Sequence, residues 1–84
     1  MLKVLKQTLI NCGVKRFKDL DISVCSFKGE RFKRYSVITD ILVLEYNTLT
    51  NQFILTYIDR GTRVTKAHSD ITEIQNYIIN TVLV

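Results

Sequence analysis

Seven cations crowd the first part of this chain: Lys15, Arg16, Lys18, Lys28, Arg31, Lys33 and Arg34. Phe17, Phe27, Phe32 and Tyr35 are interleaved among them, and Arg31-Phe32-Lys33-Arg34-Tyr35 is the densest piece. Cations neutralise phosphates and flat rings stack on bases, so this mixture has the chemistry of a nucleic-acid surface. The same cations would serve equally as a docking surface for an acidic protein. The candidate binding set is therefore Lys15, Arg16, Lys18, Lys28, Arg31, Phe32, Lys33, Arg34 and Tyr35. It sits on a divided chain. Residues 1–34 hold nine of the twelve Lys and Arg against three acids, while the remainder is mildly acidic and the whole carries +4.

Other chemistry is sparse. His68 is the only histidine, and it lies near Arg60, Arg63 and Lys66 in sequence. A ribonuclease can use such a histidine as general base beside cations that stabilise a charged phosphorus centre. Catalysis needs a constellation, however, and no second acid–base partner is evident. Asp19 and Asp21 read as turn residues, and Asp40 and Glu45 have odd spacing on an expected strand, so no carboxylate pair stands out. Cys12 and Cys25 lack metal spacing and read as small buried thiols. Three glycines and no proline leave no phosphate-cradling loop. The sequence thus points to no metal and no cofactor, and to a protein that is not an enzyme, with a ribonuclease-like toxin as the minor alternative.

The elements that must position the basic tract follow from periodicity. Leu2, Leu5, Leu9 and Cys12 fall at helical spacing, and Gly13 follows where a left-handed C-cap is wanted. Residues 22–28 read as a strand and Lys28-Gly29-Glu30-Arg31 as a turn. Arg34 to Tyr46 alternates as one long strand. Ile38, Leu42, Leu44 and Tyr46 are expected on one face, and Tyr35, Val37, Ile41 and Val43 on the other. Residues 47–51 form a hairpin loop, 52–59 a further strand, and 62–66 a short fourth one after Arg60-Gly61. Asp70 and Glu73 give a capping-box pattern, and Ile71, Ile74, Ile78 and Val82 form the stripe of a last helix. The apolar end Thr81-Val82-Leu83-Val84 reads as docked.

The expected fold is α+β: one domain over residues 1–84, a small antiparallel meander of three to four strands with an N-terminal and a C-terminal helix. This order is similar to that of the double-stranded-RNA-binding domain. That family opens its final helix with phosphate-gripping lysines. Here His68-Ser69-Asp70 stands at that place, with an acid at the positive end of the helix dipole.

A chain of 84 residues builds a small core, which favours binding over a deep catalytic cleft. No apolar run is long enough to span a bilayer, and the N-terminus lacks a secretory pattern, so a cytoplasmic address and no membrane partner are expected. Amino acids with AT-rich codons dominate, as in phage and mobile-element proteins. The reading is a small non-enzymatic protein-binding module that regulates or inhibits a host protein, with host takeover or anti-defence as its setting. Its expected partner is an acidic protein surface. The alternative is a small DNA- or RNA-binding protein that uses residues 15–35. A homodimer through the second sheet face or the C-terminal helix is a further expectation.

Overall fold

The computed structural model describes residues 1–83. An N-terminal helix, α1 (Leu2–Asn11), leads into five strands, β1 (Asp19–Phe27), β2 (Glu30–Ile38), β3 (Leu42–Asn47), β4 (Gln52–Asp59) and β5 (Thr62–His68). The chain then forms α2 (Ile71–Tyr77), which continues as a π-helical turn over Ile78–Val82. The strands make one open antiparallel sheet in the order β1-β2-β3-β4-β5. The fold is α+β, as the sequence indicates.

Local chemistry accounts for each boundary. α1 ends in a Schellman motif: Gly13 adopts φ +97°, its N–H donates to Ile10 O at 2.9 Å, and Val14 N–H donates to Leu9 O at 3.0 Å. The β1–β2 turn uses only Lys28 and Gly29, with φ of +51° and +81°. Two positive φ values define a type I′ turn, whose twist matches that of the flanking strands. Gly29 takes the second position without strain, while Lys28 is held left-handed by the ladder on either side. Asp70 caps α2, its Oδ1 accepting the Thr72 N–H at 2.9 Å.

The sequence reading needs correction at several points: Asp19 and Asp21, read as turn residues, open β1. Arg34–Tyr46 is not one strand. The chain reverses at Thr39-Asp40-Ile41, giving β2 and β3 and a five-stranded sheet. Thr39 makes the reversal. Its buried hydroxyl donates to Leu42 O at 2.9 Å and accepts from Leu42 N at 3.0 Å and Ile41 N at 3.3 Å. A side chain here replaces the ladder bonds that a continuing strand would make.

The turn also reassigns the faces. Val37 pairs with Leu44, and Leu44 with Leu55, so all three share the face on which the helices lie. Tyr35 belongs to that face too, whereas Val43 lies on the other and Ile41 is in the turn. The second face proposed from alternation, Tyr35-Val37-Ile41-Val43, therefore does not exist as a unit. Ile38, Val43, Ile54 and Thr56 form the centre of the open face instead, half-buried with no helix over them.

The core lies between the sheet and the two helices. Leu5 and Leu9 of α1 and Ile74 and Ile78 of the C-terminal helix are essentially inaccessible, as are Val37, Leu44 and Leu55 beneath them. α1 packs on β2 and β3, and α2 on β4 and β5. The π turn, with Leu83 N–H donating to Ile78 O at 3.0 Å, keeps Val82 and Leu83 against this core. Val84, the last residue of the expected docked end, lies outside the described residues.

Candidate functional site

The β1–β2 hairpin carries most of the basic tract, and its geometry sets what the tract can do. β1 and β2 pair over nine positions, from Asp19 with Ile38 to Phe27 with Glu30. The β2–β3 ladder covers only Arg34 to Ile38. Beyond it, Thr48 clips the hairpin: its N–H donates to Lys33 O at 3.0 Å, and its hydroxyl accepts the Lys33 N–H at 2.8 Å. Residues past that clip form a two-stranded ribbon that projects from the sheet. At about 3.4 Å per residue it reaches roughly 15 Å outward, which helps stretch the molecule to 41 × 25 × 22 Å.

The candidate residues fall in two groups. Lys15, Arg16 and Lys18 occupy the connection between α1 and β1, at the base of the hairpin. Lys28 stands at its tip, with Arg31, Phe32, Lys33 and Arg34 along β2. The strand between Lys18 and Lys28 puts the tip about 30 Å from the base group, while Arg34, opposite Ser23, stands about half as far from Lys18. Strand alternation divides the second group again. Arg31 and Lys33, opposite Ser26 and Val24, share the helix-bearing face with Tyr35, while Phe32 and Arg34 lie on the open face.

The cations are all exposed, but the rings differ. Tyr35 and Phe17 are half-buried and pack against the core. Phe32 is half-buried beside Cys25. Phe27 is 56% exposed next to the tip, with Lys28 Nζ 5.5 Å from its ring centre. The rings therefore form no continuous stacking platform. Among the described residues, Arg34 Nε with Glu45 Oε2 at 3.7 Å is the one ion pair formed. Lys18, Lys28, Arg31 and Lys33 thus project charge that pairs with no acid among the described residues.

The minor candidates resolve as follows. His68 ends β5, exposed, and its Nδ1 accepts the Asp70 N–H at 2.9 Å, which leaves Nε2 free. A hollow beside it is lined by Lys66, Glu73, Asn76 and Tyr77 as well. Glu73, in the first turn of α2 five residues after His68, is the carboxylate of this hollow. Lys66 Nζ lies 5.1 Å from the Tyr77 ring centre. The Tyr57 and Tyr77 hydroxyls are hydrogen-bonded, and this bond, helped by burial, pushes Tyr57 up to about 12. The two cysteines are free and half-buried rather than fully buried. Burial raises the Cys12 thiol, whose Sγ lies 3.8 Å from Gln75 O. No group of three His, Cys, Asp or Glu residues among those described could hold a metal ion. No helix is long and apolar enough to cross a membrane.

Comparison with protein-family models, curated proteins and solved structures yields no match.

Proposed function

We propose that the chain is a small, non-enzymatic protein-binding module whose basic hairpin docks on an acidic partner. The observation that carries this reading is the projecting ribbon. It presents Lys28 at its tip and Arg31 and Lys33 along one face, unpaired with any acid among the described residues, on the face that also exposes Val24 and, just below it, Ile22. Unneutralised charge beside exposed apolar area is the composition of a protein contact, with a steering rim around an anchoring centre. Codon bias and small size support an origin in a phage or mobile element, with a host regulatory or defence protein as the proposed target. The test is affinity capture from a host lysate with and without nuclease. A protein retained after nuclease treatment supports the reading. Capture that disappears with nuclease refutes it.

A second reading rests on the shape of the same hairpin. A two-stranded ribbon fits the major groove of duplex DNA, and cations at its tip would reach phosphates. Under this reading affinity falls steeply with log[salt], whereas absence of binding to DNA and RNA at low salt ends it. The ribonuclease-like alternative is left with the hollow around His68. RNA cleavage that is lost in His68→Ala would support it, and cleavage retained in that variant would remove the histidine from the chemistry.

A further inference from the structure

We propose that the free edge of β1 receives an extended, acidic segment of the partner protein as a sixth strand. This inference rests on the docking reading above and specifies how the contact is made. β1 is nine residues long and pairs on one side only. A two-residue type I′ loop makes the flanking pair, Phe27 and Glu30, mutually hydrogen-bonded, and such pairs then alternate down the ladder. Asp19, Asp21, Ser23, Cys25 and Phe27 therefore bond β2. The backbone groups of Leu20, Ile22, Val24 and Ser26 are directed away from the sheet; the Leu20 N–H donates to Asp19 Oδ1 at 2.8 Å, which leaves Ile22, Val24 and Ser26 as the open donors. The Thr48 clip gives the same parity independently, since Lys33, opposite Val24, turns its backbone toward β3.

The side chains of this outward set lie on the helix-bearing face, where neither helix reaches them. Leu20, Ile22 and Val24 are 42%, 52% and 68% exposed. Natural sheets blunt a long free edge with lysine, proline, a bulge or a covering element. The opposite edge, β5, carries Arg63 and Lys66. β1 contains no lysine, arginine or proline, and its two acids are confined to Asp19 and Asp21. It is a paired-ready edge with an apolar stripe beside it, the arrangement used in strand addition.

Charge selects the occupant. A second copy pairing antiparallel about Ser23 would overlap the whole strand. It would also set Lys18 of each copy opposite Lys28 of the other, bringing two basic hairpins together. An acidic segment meets the opposite situation on the helix-bearing face, since Asp19 and Asp21 belong to the open face. Lys18 and Lys28 flank the two ends of the edge, and Arg31 and Lys33 stand on the same face behind Ser26 and Val24. Apolar side chains at alternate positions of the added strand would cover Ile22 and Val24, with carboxylates toward either end.

The probe is a capped synthetic peptide of alternating Val and Thr with paired Glu at each end. Three arms are compared on the intact protein: this peptide, its analogue N-methylated at the pairing amides, and its analogue with Lys in place of Glu. The readouts are the dissociation constant and the exchange rates of individual backbone amides. Val24→Pro is the protein control. The Val24 N–H makes no bond to β2, so proline is tolerated there while the edge is interrupted. The Glu peptide is expected to slow exchange at Ile22, Val24 and Ser26, whose amides have no partner within the sheet. N-methylation, lysine substitution and Val24→Pro should each weaken its binding about tenfold or more. Undiminished binding of the N-methylated peptide overturns strand addition but leaves charge-led docking standing. Protection of the same amides that rises with protein concentration, without peptide, assigns the edge to a second copy and overturns the proposal. Failure of the Glu peptide to bind removes the acidic-strand proposal, and the lysate capture above separately decides the docking reading.

Discussion

Reversing charge along the hairpin separates a docking role from a structural one. The variant combines Arg31→Glu, Lys33→Glu and Arg34→Glu. Arg31 and Lys33 are exposed and form no ion pair, so their replacement removes nothing that holds the fold. Arg34 is different. It pairs with Glu45 at 3.7 Å, with its side chain 47% exposed. A pair so exposed is worth at most about 1 kcal/mol, and a like charge in its place costs a similar amount. The triple variant should therefore lose about 1–2 kcal/mol of the roughly 5–10 kcal/mol expected for a domain of this size. Its melting temperature should fall by about 5–10 °C, with the far-ultraviolet circular dichroism of the native protein retained. Binding should respond far more. Each reversed charge at contact distance in partly screened surroundings changes the interaction by about 1 kcal/mol, so three change affinity about a hundredfold. The assay is titration of the captured partner at fixed ionic strength, beside a matched variant with Lys15, Arg16 and Lys18 reversed. An unfolded triple variant would make the tract structural. A folded variant with unchanged affinity would remove the hairpin from the contact, and loss confined to the matched variant would move the site to its base.

Four further outcomes are expected. Leu44→Ala empties the centre of the core between Val37 and Leu55 and should cost about 3 kcal/mol in urea unfolding, enough to leave the domain marginal. Asp70→Ala removes the bond to Thr72 N–H and should cost about 1 kcal/mol, which Asp70→Asn largely restores. Tyr57 is raised from 10.0 to about 12, so the folded state holds this proton more tightly than the unfolded one. The stabilisation is complete below pH 10 and lost between pH 10 and 12; titration at 295 nm should show Tyr77→Phe moving Tyr57 back toward its ordinary value. Lys28→Asn suits the left-handed tip and should leave stability equal or up to about 0.5 kcal/mol higher, while lowering affinity for the partner.

The parts of the fold written in short-range chemistry were legible in the sequence. Gly13 marks the end of α1, Arg60-Gly61 marks a turn, and Asp70 marks the start of α2; the turn expected over Lys28–Arg31 is also there but tighter, since β2 already begins at Glu30. The reversal at Thr39 was hidden because it uses neither glycine nor proline. A threonine hydroxyl performs it inside an apolar alternation that continues on both sides. Missing that turn inverted the faces of everything after Ile38, since alternation has a period of two. The basic residues of the candidate site were visible as a run. Their division was not, because separation depends on β1 lying between Lys18 and Lys28. Glu73 shares the hollow with His68 across the short Ser69-Asp70 connection, whereas Tyr77 and Lys66 meet there only through the return of α2 over β5.

The strict neighbour-to-neighbour order of the sheet has a consequence for how the chain is made. Every ladder joins strands adjacent in sequence, so each can zip as soon as it leaves the ribosome, with only a short loop to close. The cover arrives in two instalments. α1 is already present to shield Val37 and Leu44, but Leu55 and Tyr57 wait for the last segment, Ile71 onward, to be synthesised. During that interval the nascent sheet is ordered yet half-lidded, and its greasy side toward β4 is open to any neighbour. Packing of the C-terminal helix over β4 and β5 is therefore the step that closes the core.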